Sequence, residues 1–119
     1  MTVAAKLTGI IMTSPDPDRA AVFYREVLGI PYVLSQHGEL PQHYECDVEG
    51  IHFAILRGTV GRAQCITPSF QVHQLDAFLA DVEGRGIRRL HRPIELGGGP
   101  RISTICDPDG NDVRLYATS

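Results

Sequence analysis

No stretch of the chain is apolar for long enough to span a bilayer as a helix, which excludes a helical membrane protein. Positive charge is scarce. Eleven Lys and Arg stand against fourteen Asp and Glu, a formal net charge of −3, so nucleic acid and anionic membrane surfaces are poor partners. Residues 1–6 lack the basic start and apolar middle of a secretory signal, and the cytoplasm is the expected compartment. Cysteine is limited to Cys46, Cys65 and Cys106, an odd count with no C-x-x-C spacing. They read as free, buried thiols in a reducing compartment. Gly97-Gly98-Gly99-Pro100 lacks the Lys-Ser/Thr and the following helix that a phosphate loop needs, and reads as a mobile flap.

What remains is ordinary for one globular domain: 119 residues, 43% apolar and 21% charged. Residues 7–13 form a β-like run. Asp16 before Pro17 is a helix N-cap followed by a favourable first residue. Ala20, Phe23, Tyr24, Val27 and Leu28 recur at helical spacing up to Gly29, which supplies the stop. Strands are expected over 31–36, 43–48 and 51–57, with a loop at 37–42 and a turn at Glu49-Gly50. A linker is expected over 58–65, dividing a first repeat module at about 7–57 from a second at about 66–119. The second module repeats the order. A strand at 66–72 leads to a helix whose apolar face is Leu75, Phe78, Leu79 and Val82, closed by Arg85-Gly86-Ile87. Strands at 88–92, 101–106 and 112–117 follow. The helices are expected to pack Phe23, Val27, Phe78 and Val82 against their sheets. Asp107-Pro108-Asp109-Gly110-Asn111 has the composition of a tight hairpin connection.

Together the capped helix with Phe23-Tyr24, the Leu28-Gly29-Ile30 exit and the Asp107–Asn111 hairpin resemble the vicinal oxygen chelate superfamily of glyoxalases, bleomycin resistance proteins and dioxygenases. The resemblance covers nearly the whole chain. It implies an α+β fold of two β-α-β-β-β modules, with curved mixed sheets forming a cup-shaped pocket and a homodimer completing it. In metal-using members, ligands come from the first strand of each module and from the last strand after the glycine turn. Here those places carry Gly9, Thr67 and Arg114. Glycine has no side-chain ligand, threonine is a poor one, and a guanidinium repels a cation. The expectation is therefore no metal and no cofactor at the family's site.

Strand alternation gives an expected pocket lining. It comprises Gly9, Ile11 and Thr13; His52 and Leu56; Thr67, Ser69 and Gln71; and Arg114 and Tyr116, with Asp112 on the same strand face. His52 is the one candidate for acid/base work, with a core histidine bonded to a backbone carbonyl as the alternative. Arg114 could fork onto an oxyanion, or pair with Asp112. The other four histidines, His37, His43, His73 and His91, have no mutual i, i+4 or i, i+2 spacing and read as solvated or singly hydrogen-bonded. No nucleophilic triad can be assembled from Ser69 or Cys106.

Three functions fit: a metal-independent protein that sequesters a small, acidic organic molecule such as a drug or metabolite; a lyase, isomerase or dioxygenase with a non-standard metal or acid/base site; and a dimeric scaffold with a vestigial pocket. Fold analogy does not choose among them.

Overall fold

The computed structural model describes residues 7–37, 41–58 and 66–118. Its contacts divide the chain into two compact units, Met1–Gly61 and Arg62–Ser119.

The first unit runs β1 (Gly9–Ser14), α1 (Pro17–Leu28), β2 (Val33–Ser35), β3 (His43–Val48) and β4 (Ile51–Arg57). Its sheet has the order β1-β4-β3-β2. β1 is parallel to β4, and the other pairs are antiparallel. The helix begins where the Asp16 carboxylate accepts the Arg19 N–H at 3.2 Å. It ends at Gly29, whose φ of 72° is open to glycine at little cost. Ala20, Ala21, Phe23 and Tyr24 form its buried face. A chain of edge-to-face rings ties that face to the sheet: Phe23 to Tyr24, Tyr24 to Tyr32, and Tyr32 to Phe53. Tyr32 is only 2% exposed, and burial pushes its phenol far above the usual range.

The second unit repeats the plan with β5 (Ser69–Gln71), α2 (Leu75–Gly84), β6 (Ile94–Glu95), β7 (Arg101–Cys106) and β8 (Asp112–Ala117). The sheet order is β5-β8-β7-β6, again with one parallel pair, β5 with β8. Leu75, Leu79 and Val82 of the helix are buried, as are Ile105, Val113 and Leu115 of the sheet. The β7–β8 hairpin closes at Asp107. Its carboxylate accepts the N–H groups of Asp109 and Asn111 at 2.9 and 2.8 Å and the Asn111 side-chain amide at 3.0 Å. Gly110 takes the positive φ, 85°.

The α+β architecture and the repeated order are as the sequence indicates. Helix α1, the strands β3, β4, β7 and β8 and both hairpin turns agree with it residue for residue. Several expectations need correction. The first strand begins at Gly9, later than expected, and β2 and β5 shrink to three residues each. The expected strand at 88–92 is absent. Arg89 makes a single bridge to Ile105, and Pro93 has no N–H to extend a ladder. Pairing resumes only at Ile94–Glu95. Phe23 and Val82 are buried as expected, whereas Phe78 and Val27 are half-buried and Leu79 and Tyr24 are buried in addition. Cys46 and Cys106 are free but half-buried rather than buried. Cys65, most of the expected linker, Gly38 within the 37–42 loop and residues 1–6 lie outside the described residues. Among the described residues, no helix is long and apolar enough to cross a membrane.

Candidate functional site

Each sheet turns one face toward its helix and the other away from it, and the chemistry is on the faces turned away. In the first unit the register pairs Gly9 with His52, Ile11 with Ala54 and Thr13 with Leu56. Asp47 lies beside His52 and Glu45 beside Ala54 on β3. The first-unit candidates, Gly9, Ile11, Thr13, His52 and Leu56, are thus brought onto one face. Ile11 is 65% exposed and Leu56 38%, so apolar surface is open there. Gly9 has a packing reason: a Cβ would come within 3.0 Å of the His52 carbonyl oxygen.

His52 is not a core histidine. Its Nδ1 stands 3.0 Å from an Asp47 carboxylate oxygen, and its side chain is half-exposed. A carboxylate only accepts, so Nδ1 carries the proton and the neutral ring has Nε2 free to accept. That is the orientation of a general base.

In the second unit, Arg114 pairs with Ser69 on one side and Thr104 on the other, and Tyr116 with Gln71 and Ile102. Ser69, Gln71, Arg114 and Tyr116 therefore share a face. Arg114 is exposed, and among the described residues no carboxylate pairs with its guanidinium, Asp112 included. The hydroxyl of Thr104 is engaged with His91 Nε2 at 2.9 Å. Thr67 precedes β5 and is exposed, outside the paired strand on which it was expected.

One constellation escapes the spacing rules. His37, just past β2, and His43 and Glu45 on β3 converge. His37 Nε2 lies 2.6 and 3.0 Å from the two Glu45 oxygens, and His43 Nε2 lies 2.8 Å from Oε1. His43 Nδ1 meets the Pro41 carbonyl at 3.0 Å. The description of His43 as solvated or singly bonded is thus corrected, and His91 too has two partners, whereas His37 is exposed and bonded to Glu45 alone. The Pro41 carbonyl, then Glu45, raises the His43 pKa from its ordinary value. Hydrogen bonds from His37 and then His43 hold the Glu45 carboxyl below its usual range. The signal in the sequence was the i, i+2 pair of unlike residues, His43 and Glu45, on a strand next to a histidine-bearing loop. A search for histidine pairs alone passes over it. His43 also lines a cleft of about 410 Å³ with Pro17, Asp18, Leu34, Tyr44 and Arg57.

A family model described as Glyoxalase/Bleomycin resistance protein/Dioxygenase superfamily matches residues 6–115. No curated protein sequence matches. Among solved structures, TnmS3, an antibiotic binding protein from Streptomyces sp. CB03234, is similar at a TM-score of 0.77 and 19% identity, with 100% of both chains covered. A glyoxalase/bleomycin resistance protein/dioxygenase from Nocardioides gives a TM-score of 0.73 at 16% identity, covering 98% of this chain and 85% of that one. The oxidase ChaP-H2 gives 0.72 at 18% identity, covering 97% and 94%. At such identities the likeness is one of fold.

Proposed function

We propose that this chain, which belongs to the Glyoxalase/Bleomycin resistance protein/Dioxygenase superfamily, binds a small organic molecule bearing one acidic group, sequestering a drug or metabolite. The observation that carries the reading is Arg114. It is a guanidinium on the open face of β8, without a carboxylate partner among the described residues. Ser69 lies beside it in register, and Tyr116 and Gln71 are one step along the same face. A guanidinium with this freedom can hold a carboxylate or phosphate through two parallel N–H bonds, with the phenol, amide and hydroxyl adding directional contacts. An antibiotic binding protein among the structural relatives fits this class of function. Gly9, Thr67 and Arg114 are not metal ligands in this reading.

The test is a calorimetric titration with an acidic ligand found by screening. Arg114→Ala should weaken binding by about 1.5–3 kcal/mol, the range for a hydrogen bond to a charged group. Arg114→Lys should restore only part, because a point charge does not replace the fork. Equal affinity in all three proteins would refute the reading.

We further propose a homodimer. The edge strands leave backbone groups unpaired, and Val33 and Leu34 of β2 and Ile94 of β6 are exposed apolar side chains there. Light scattering at micromolar concentration should report two chains.

A second reading, an enzyme with an acid/base residue, is favoured by the His52–Asp47 pair. It requires that His52→Gln abolish turnover of a substrate while leaving its binding nearly intact, and that Asp47→Asn slow turnover less.

A further inference from the structure

We infer that His37, His43 and Glu45 form a binding site for a divalent transition-metal ion of the zinc type, at the β2–β3 edge and apart from positions 9, 67 and 114. The inference does not depend on the ligand reading above, whose Arg114 lies in the other unit.

Three observations carry it. The first is convergence. One ligating atom from each side chain lies within 4.8 Å of the other two. Ligands about 2.0–2.1 Å from a tetrahedral ion stand about 3.3 Å from one another. The present contacts of 2.6 and 2.8 Å to Oε1 would open by about 0.5–0.7 Å to reach that spacing.

The second is orientation. A carbonyl oxygen only accepts, so the contact at 3.0 Å to Pro41 assigns a His43 ring proton to Nδ1. Glu45 also only accepts, so in the present contact Nε2 carries a proton too; an ion that displaces it meets the Nε2 lone pair, with Nδ1–H still bonded to Pro41. A backbone carbonyl on the far nitrogen is the usual outer support of a metal-binding histidine. His43 is 9% exposed, so packing fixes the ring before any ion arrives. His37 is the exposed member, its side chain 58% accessible, with room to adjust its rotamer toward an ion.

The third is the donor set. Two imidazoles and one carboxylate suit zinc, nickel or iron(II), whereas calcium and magnesium prefer all-oxygen shells. One carboxylate against a dication leaves a net charge of +1. Three protein ligands leave a coordination position open to water or to an anionic oxygen donor. By register, His43 and Glu45 share their sheet face with Ile11, His52 and Leu56.

The experiment titrates zinc chloride into chelator-treated full-length protein by calorimetry. One ion per chain is expected. Losing an outer partner costs a metal site about 10–100-fold in affinity, so losing a ligand in Glu45→Gln or His37→Ala should cost about 100-fold or more. The exposure of His37 makes its variant safe for folding, which circular dichroism should verify. His73→Ala, in the other unit, should bind as wild type does. Cobalt substituted for zinc should give visible absorption bands that His37→Ala removes. No zinc uptake by the wild type would overturn the inference, leaving the cluster a hydrogen-bonded group of two histidines around a carboxylate. Unchanged affinity in both His37→Ala and Glu45→Gln would overturn it equally, as would loss confined to His52→Ala, which would assign the ion to the His52–Asp47 pair.

Discussion

The two units share one topology and differ in nearly everything attached to it. The orders β1-β4-β3-β2 and β5-β8-β7-β6 superimpose element for element. Yet the open face of the first carries histidines engaged with carboxylates, His52 with Asp47 and His37 and His43 with Glu45, while that of the second carries Arg114, a cation with no carboxylate partner among the described residues. The fold constrains the faces toward the helices, where Tyr24 and Ile55 in one unit and Leu79 and Leu115 in the other are buried. The faces turned away are free to diverge. A repeated scaffold therefore predicts where chemistry is placed, not what it is.

The hairpins sharpen the contrast, and the largest stability effect is expected there. The second unit turns through five residues organised by Asp107, which is 6% exposed and accepts three hydrogen bonds. Asp107→Ala strands those donors and should cost about 3 kcal/mol, given about 1.5–3 for a bond to a charged group. The first unit turns through Glu49 and Gly50 alone, both at positive φ, 51° and 81°. That turn depends on backbone freedom rather than side-chain bonds. A Cβ at Gly50 meets nothing within 4 Å, so Gly50→Ala should cost only the left-handed penalty, about 1–2 kcal/mol. Urea denaturation of both variants checks the order, and a larger loss at Gly50 would reverse the argument.

How legible each feature was in the sequence follows from its range. The ends of α1 were readable because Asp16, Pro17 and Gly29 act on their own neighbours. The β3–β4 and β7–β8 hairpins were readable because turn residues sit between strands of matched length. The strand expected at 88–92 was not, because which residues pair with Ile102 and Arg101 depends on the path around Pro93. The His37–His43–Glu45 cluster was hidden for a related reason. His37 reaches Glu45 across eight positions only once β2 and β3 are in register, Ser35 opposite His43. That Arg114 has no carboxylate partner among the described residues could not be read either, since alternation sets its face but not the rotamer of Asp112.

The helix starts differ next, with smaller effects. Asp16 caps α1 with its side chain, so Asp16→Ala should cost about 1 kcal/mol. Gln74, at the start of α2, makes no side-chain cap and is left-handed at φ 51°. Gln74→Gly should therefore raise stability by less than about 1 kcal/mol, because glycine accepts that conformation without strain. Opposite signs for the two substitutions in thermal melts would confirm that the second helix start is the suboptimal one.

The smallest effect concerns a tether that both units build at the same place. The second residue of each helix is an aspartate bonded to its own sheet: Asp18 takes the Tyr44 hydroxyl of β3, and Asp76 takes the Arg101 guanidinium of β7. Only the second is an ion pair. Arg101 donates to both Asp76 oxygens at 3.2 and 3.0 Å and holds its carboxyl below the ordinary aspartate range. A depressed folded-state pKa stabilises the protein at pH values above the unfolded pKa, about 3.9 for aspartate. The contribution disappears as pH falls through the lower folded value. Asp76 is exposed and Arg101 half-buried, so the effect is a shallow one and is screened by salt. Asp76→Asn should lower the urea midpoint slightly at neutral pH and low salt. Its deficit should close under acid and in high salt. Tyr44→Phe removes a bond whose donor is uncharged, so its deficit should persist in high salt. If the two variants respond alike to salt, the tethers are equivalent in kind, and the electrostatic contrast between the units ends at their open faces.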